Sequence, residues 1–337
     1  MTNRLELRDQ LLRVVDSFAG RKLAVVGDLI ADQFLYGQTM RVSREAPVLV
    51  LQYRELIRVP GGAANAANNL LDLGCRVAVF GAVGRDSAGR DLISSLERKG
   101  ADVRHIVPFD HYATPVKTRI VAGAHHSAPH QIVRVDRESR LDSRSVLPWA
   151  RMARPLRGMH GIIVSDYGLG TVVPSLVQEL KKIGRVAEIP LVVDSRFGMA
   201  EFHGVTSMTP NITELEAATA ISIGADQQLL NRVARRVLRK QDLASLLVTQ
   251  GRFGMTLLER RRRSIHIPIY GSDEVADVTG AGDTVIAVFT LALACGAPAE
   301  AAARLANYAG GIVVMKRGTA TVNREELFTA VRQDLSA

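Results

Sequence analysis

Lys22-Leu23-Ala24-Val25-Val26-Gly27-Asp28 is a short apolar run closed by a glycine and an acid. Successive apolar positions over so few residues read as a strand buried on both faces, as in parallel sheets. The pattern returns in Arg76-Val77-Ala78-Val79-Phe80-Gly81, Gly161-Ile162-Ile163-Val164-Ser165-Asp166, Leu191-Val192-Val193-Asp194 and Leu246-Leu247-Val248-Thr249. Between these runs, residues 63–73, 89–99, 172–183 and 228–239 read as helices. Leu7, Leu11, Leu12, Val15 and Phe18 predict a further amphipathic helix before the first strand. Strand–helix alternation implies right-handed βαβ units. The expected class is α/β, a mostly parallel central sheet flanked by helices on both faces.

Two regions break the rhythm. Residues 48–53, and the pair 116–122 and 131–135, mix apolar and polar positions like antiparallel strands. They predict a small β-sheet lid, inserted around residues 40–55 and 114–136. The lid would cover the crevice at the C-terminal ends of the parallel strands, where such folds bind ligands. No linker, repeat or low-complexity tract interrupts the 337 residues, which predicts one domain plus the lid.

Hydrophobic residues at 47% and charged residues at 23% exclude wholesale disorder. Lys+Arg 43 against Asp+Glu 34 leaves a formal charge of +9, which suits nucleic acid or a pocket for phosphorylated substrates. Cys75 and Cys295 cannot build a disulfide framework and fit a reducing cytosol. The N-terminus lacks a signal-peptide core, and the apolar run at 285–295 is well short of the roughly 20 residues a membrane span needs. A cytoplasmic protein without membrane contact is expected.

The sharpest chemical signal is Asp277-Val278-Thr279-Gly280-Ala281-Gly282-Asp283, followed by a long apolar helix. Its glycines let backbone approach a ligand, and a helix N-terminus favours an anion such as a transferring phosphoryl group. Asp283 beside that anion suits proton abstraction from an attacking hydroxyl. The same spacing also suits a plain helix cap. Upstream, Pro60-Gly61-Gly62-Ala63-Ala64-Asn65-Ala66-Ala67 offers backbone N–H groups and an amide, or a small-residue helix packed on the sheet. In Pro210-Asn211-Ile212-Thr213-Glu214 the Asn–Glu spacing is that of a capping box. Neither a Walker phosphate loop nor a Gly-x-Gly-x-x-Gly after the first strand occurs.

The two glycine-rich segments, in this order, resemble the signatures of the ribokinase-like (PfkB) sugar kinases, and the resemblance runs from Val25 to about Glu326. It implies a ribokinase-like fold and ATP-dependent phosphorylation of a sugar. Gly280, Ala281 and Gly282 would form the anion hole and Asp283 the catalytic base. Gly61, Gly62 and Asn65 would bind the sugar, with Asp28 and Asp32 accepting from its hydroxyls. Asn211 would belong to the magnesium/phosphate motif, and Glu214 would act on Mg2+ through water. Thr249, Gly251 and Gly254 would border ATP, Asn307 would line the adenine pocket, and Gly318-Thr319 would lie near the nucleotide. ATP and Mg2+ are the implied cofactors, with a monovalent cation as a further candidate, and a homodimer through lid strands is the implied assembly.

Gly27-Asp28-x-x-x-Asp32 and Arg41-Val42-Ser43-Arg44-Glu45-Ala46-Pro47-Val48 narrow the resemblance to bacterial heptose-7-phosphate kinases, which phosphorylate an anomeric hydroxyl in ADP-heptose synthesis for lipopolysaccharide. A phosphorylated acceptor needs cations, and Lys117, Arg119 and Arg134, with Arg41 and Arg44, are candidates. Leu169 stands where that subfamily usually has Lys, and Ser195-Arg196 where it has Pro-Lys. Many such kinases are fused to a nucleotidyltransferase; with 337 residues this chain is expected to be the stand-alone form. Two segments carry competing signals. Arg260–Arg263 could contact nucleic acid but reads as a solvated hairpin tip, and no nucleic-acid partner is expected. His125, His126 and His130 read as loop residues rather than metal ligands.

Overall fold

A computed structural model of the chain describes residues 2–123, 130–142, 149–271 and 277–336. The strands are β1 (Lys22–Gly27), β2 (Leu29–Val42), β3 (Leu49–Gly62), β4 (Arg76–Gly84), β5 (Asp102–Phe109), β6 (Val116–Gly123) and β7 (His130–Arg137). They continue with β8 (Gly161–Asp166), β9 (Leu191–Ser195), β10 (Ser207–Met208), β11 (Ser245–Thr249), β12 (Met255–Glu259) and β13 (Ile265–Ile267). The helices are α1 (Thr2–Asp16), α2 (Ala63–Asp72), α3 (Ser87–Arg98), α4 (Trp149–Leu156) and α5 (Pro174–Ala187). Further along come α6 (Ile212–Thr219), α7 (Gln227–Lys240), α8 (Ala281–Ala294), α9 (Ala299–Val314) and α10 (Arg324–Ser336).

The described residues form a nine-stranded sheet of order β13-β12-β11-β10-β9-β8-β1-β4-β5. Pairing is parallel from β11 through β5, and an antiparallel hairpin, β12–β13, closes one edge. Side-chain alternation explains the layers. Leu23 and Val25 of β1, with Val77 and Val79 of β4, pack into a core with α1, α2, α3, α8, α9 and α10. Ala24, Val26, Ala78 and Phe80 point the other way, into a core with α4, α5, α6 and α7. An apolar run exposed to neither face needs helices on both, which is why these strands lack polar alternation.

The second sheet has four strands in order β3-β2-β6-β7, with β2–β3 and β6–β7 antiparallel and β2–β6 parallel. It is the expected lid with one correction. Its long inner strand β2 begins directly after Asp28, so the lid grows out of the first strand's acidic end. β3 then returns to Gly62, at the start of α2. The Arg260–Arg263 segment is the turn between β12 and β13. There Arg260 bonds Asp242 and the Leu243 carbonyl, and Arg262 pairs with Glu259. His125 and His126 lie outside the described residues, while His130 is exposed at the start of β7. Among the described residues no helix is long and apolar enough to cross a membrane.

Candidate active site

Every parallel strand of the large sheet ends on the same side, so the polar residues that close several of them converge there. Asp166 ends β8, Asp194 lies near the end of β9, and Thr249 ends β11. Gly280 caps α8 in the left-handed conformation, φ 76°, which places Asp283 in the first helical turn. A side chain at Gly280 would collide with the Asn65 amide, so the glycine is needed for close approach.

Asp283 is 4% exposed and held at both oxygens. The Asn65 amide donates to Oδ2 at 2.9 Å, and the Tyr167 hydroxyl donates to Oδ1 at 2.9 Å. Burial pushes the Asp283 carboxyl up to about 7, against the pull of these two hydrogen bonds; Asp32 adds to the rise and Lys117 opposes it. Behind Asn65, the Asn69 amide donates to the Asn65 carbonyl at 3.0 Å, and Asn69 Oδ1 accepts from Thr284 at 3.1 Å. The Lys117 ammonium lies 4.5 Å from the centre of the Tyr167 ring, and burial lowers its pKa. A buried carboxylate poised near neutrality at a glycine-capped helix start can take a proton from a hydroxyl while the helix end receives an anion.

Beside it lies a cavity of about 220 Å³ lined by Lys117, Asp166, Tyr167, Asp194, Arg196, Thr209, Asn211, Glu214, Thr249 and Gly282. Asn211 and Glu214 form the capping box of α6: the Glu214 N–H donates to Asn211 Oδ1 at 2.8 Å, and the Asn211 N–H donates to Glu214 Oε2 at 2.9 Å. Burial raises the Glu214 carboxyl. Burial also holds Asp194 well above the usual carboxylate range, with the charges of Glu214, Asp283 and Asp166 adding to it.

Asp28 and Asp32, the two acids expected to meet the acceptor, differ in their surroundings. Asp28 is fully buried, and its carboxylate accepts from the N–H groups of Tyr167, Leu169 and Thr171 at 2.8, 3.0 and 3.1 Å. It fastens the loop after β8, and burial raises its pKa. Asp32, 4% exposed, accepts from Arg119 at 2.7 Å and from the Thr319 hydroxyl at 2.8 Å. Gly61 makes room for it, since a Cβ there would stand 2.7 Å from Asp32 Oδ2. A Cβ on Gly62 would crowd the Asp28 carbonyl. Arg134 is exposed and pairs with Asp136, and Arg41 and Arg44 are exposed.

Ala281 opens α8 between the two glycines. Gly251 is exposed with open space around it, whereas Gly254, φ +83°, is packed against the Ile267 carbonyl, a close approach that β13 imposes. Asn307 is not among the residues lining the cavity that holds Thr249 and Asn211; its amide donates to the Pro268 carbonyl at 2.8 Å beside a different cavity. Thr319, expected near the nucleotide, bonds Asp32, whereas Tyr167 and Asp194 carry no expectation as contacts of this site. Asp194 carried a signal, as a strand-terminal acid.

The sequence pattern of the pfkB family carbohydrate kinases matches residues 21–326. Among curated proteins the chain is 45% identical over 310 residues to the bifunctional protein HldE of Geobacter sulfurreducens, covering 90% of this chain and 61% of that protein. It is 37% identical over 316 residues to the bifunctional protein HldE of Haemophilus ducreyi, covering 93% and 64%. The chain thus spans less than two thirds of these relatives. Among solved structures, Arabidopsis thaliana ribokinase complexed with ribose and ATP superposes with TM-score 0.70 at 18% identity, over 93% of this chain and 99% of that one. Escherichia coli phosphofructokinase-2 in complex with substrates and products gives TM-score 0.74 at 18% identity, over 94% and 100%. At such identity these two show the shared ribokinase-like fold. With the pattern spanning nearly its whole length, the chain belongs to the pfkB family of carbohydrate kinases.

Proposed function

We propose that this sugar kinase transfers the γ-phosphoryl group of ATP to the anomeric hydroxyl of D-glycero-D-manno-heptose 7-phosphate, with Asp283 as the base. The observation that carries the chemistry is the clamp on Asp283, whose two oxygens are fixed by Asn65 and Tyr167 at the start of α8. Asp283 accepts the acceptor proton, and the N–H groups at Gly280–Asp283 meet the charge of the γ-phosphoryl group. Thr249, Asn211 and Gly282 are among the residues lining the cavity that would take the nucleotide phosphates.

Crowded carboxylates whose ionisation burial and mutual repulsion oppose make a donor set that suits a divalent cation. Among the described residues no three His, Cys, Asp or Glu side chains converge to hold a metal directly, so Glu214 and Asp194 would hold Mg2+ through water. When bound, it supplies charge neutralisation on the nucleotide phosphates. A monovalent cation would bind as well; a structure of Escherichia coli phosphofructokinase-2, which shares the fold, is in complex with potassium.

The heptose acceptor is supported by the Gly27-Asp28-x-x-x-Asp32 and Arg41–Val48 segments and by the identity to the HldE proteins. Of the cations suggested for its phosphate, Arg119 is committed to Asp32 and Arg134 to Asp136. Lys117, facing the cavity over Tyr167, is the best placed. A different sugar phosphate is the second reading, favoured by Leu169 and Ser195-Arg196. The chain would work as one cytoplasmic kinase domain pairing through its lids, where Met40, Val42, Tyr53 and Val135 are more than half exposed. A coupled ADP-release assay over phosphorylated and free sugars tests it. Turnover with heptose 7-phosphate above all others is expected, and preference for another sugar removes the heptose assignment.

A further inference from the structure

We propose that Thr319 is a positioning residue for the sugar acceptor: its hydroxyl and the Arg119 guanidinium together fix the carboxylate of Asp32. The segment that carries it therefore serves the acceptor side of the site. This rests on the kinase reading above in taking Asp32 as an acceptor ligand.

Asp32 Oδ2 accepts from the Thr319 hydroxyl at 2.8 Å, and Oδ1 accepts from Arg119 at 2.7 Å. An ionised carboxylate has about four lone-pair sites, so two such bonds orient it and leave capacity on each oxygen for sugar hydroxyls. The third wall is Gly61, where any Cβ would press on the carboxylate. Thr319 also reaches the phosphoryl side, because its Cγ2 lies 3.0 Å from the position of a Cβ on Gly280. One half-buried side chain thus touches both the acceptor acid and the glycine that opens the anion site.

The hydroxyl is not needed to hold its own segment in place. The Gly318 N–H donates to Asp277 Oδ2 at 3.1 Å, the Lys316 ammonium donates to the Thr321 carbonyl at 2.7 Å, and the Thr321 hydroxyl bonds Asp72. Gly318 lies against the Phe34 ring, and the Arg119 guanidinium sits over that ring, its carbon 5.3 Å from the ring centre. With the backbone fastened independently, a threonine hydroxyl aimed at a buried carboxylate from the opposite end of the chain acts on that carboxylate.

The test measures KM for ATP and for the acceptor separately in Thr319→Val and Thr319→Ser, with the acceptor being whichever sugar the unmodified enzyme phosphorylates best. Loss of a hydrogen bond to a charged group predicts a roughly tenfold or greater rise in acceptor KM for Thr319→Val, with ATP KM unmoved and Thr319→Ser close to the unmodified enzyme. If Thr319→Val melts below the assay temperature, Thr319→Ala against Thr319→Ser makes the same comparison. A rise in ATP KM alone, no change in either KM, or a serine variant as impaired as the valine one overturns the proposal. Failure of heptose 7-phosphate in the acceptor panel removes the heptose assignment and leaves this test standing; absence of turnover with every sugar overturns both.

Discussion

Replacing Asp283 with asparagine separates its chemical role from its structural one. The amide keeps the shape of the carboxyl, and its oxygen can still accept from Asn65 while its NH2 turns to the Tyr167 oxygen, so the fold is expected to survive. Turnover is expected to fall by roughly 10²- to 10⁴-fold, the range a positioned general base contributes, with ATP affinity by calorimetry little changed. Stability moves the other way. The folded-state pKa of about 7 lies above the ordinary 3.8, so the folded protein binds the proton more tightly than the unfolded chain. That contribution is complete below about pH 4 and is lost as pH rises through 7, a swing on the order of 4 kcal/mol. Urea unfolding at pH 5.5 and 8.5 therefore has the unmodified protein losing stability relative to Asp283→Asn as pH rises. The kcat/KM of the unmodified enzyme is expected to climb with pH and level off above about 7. A variant that retains a large share of its turnover, or a kcat/KM flat across this pH range, refutes the base assignment.

Glu214→Gln preserves an acceptor for the Asn211 N–H and hence the capping box, so its unfolding midpoint is expected to stay put while the Mg2+ concentration for half-maximal rate rises roughly tenfold. Arg119→Met leaves Asp32 buried without its ion-pair partner, and chemical denaturation is expected to show a loss of about 3 kcal/mol. An unchanged midpoint would mean the pair does not support the lid. Gly254→Ala must accept φ +83° and a Cβ against the Ile267 carbonyl; a loss above about 1 kcal/mol is expected in the same measurement.

The large sheet was readable because its strands are short apolar runs ended by small or acidic residues, and β1, β4, β8, β9 and β11 each carry that mark. β2 escaped because its first residues are buried inside the fold and its last are exposed in the lid, so no single period runs through it. β5 is an edge strand with Pro108 in it, which blurs the apolar signal. The site divides in the same way. Gly280, Asp283 and the Asn211–Glu214 box are local patterns. Tyr167 meets Asp283 across 116 residues and Thr319 meets Asp32 across 287, and neither contact has a local trace.

The residues that depart from the heptose-kinase pattern turn out to have unequal weight. Leu169 is fastened through its backbone, donating to Asp28 at 3.0 Å and accepting from Leu141 at 2.7 Å, bonds that any side chain preserves. Ser195 adds what proline cannot: its hydroxyl donates to Asp166 at 2.7 Å and accepts from the Gly198 N–H at 2.9 Å. Arg196 keeps a cation on the cavity wall, where its charge opposes the rise in the Glu214 pKa. Among the described residues, Lys117 and Arg196 therefore face Asp166, Asp194 and Glu214 in that cavity, with Asp283 adjoining it. A chain of formal charge +9 thus has a candidate site richer in acids than in bases. Surplus positive charge elsewhere cannot neutralise a buried carboxylate at a distance where salt screens it. Burial and mutual repulsion oppose the ionisation of Asp194 and Glu214 there, and a divalent cation arriving with the nucleotide phosphates would stabilise their charged forms; this local crowding, rather than the overall charge, is the physical reason to expect turnover that depends on Mg2+.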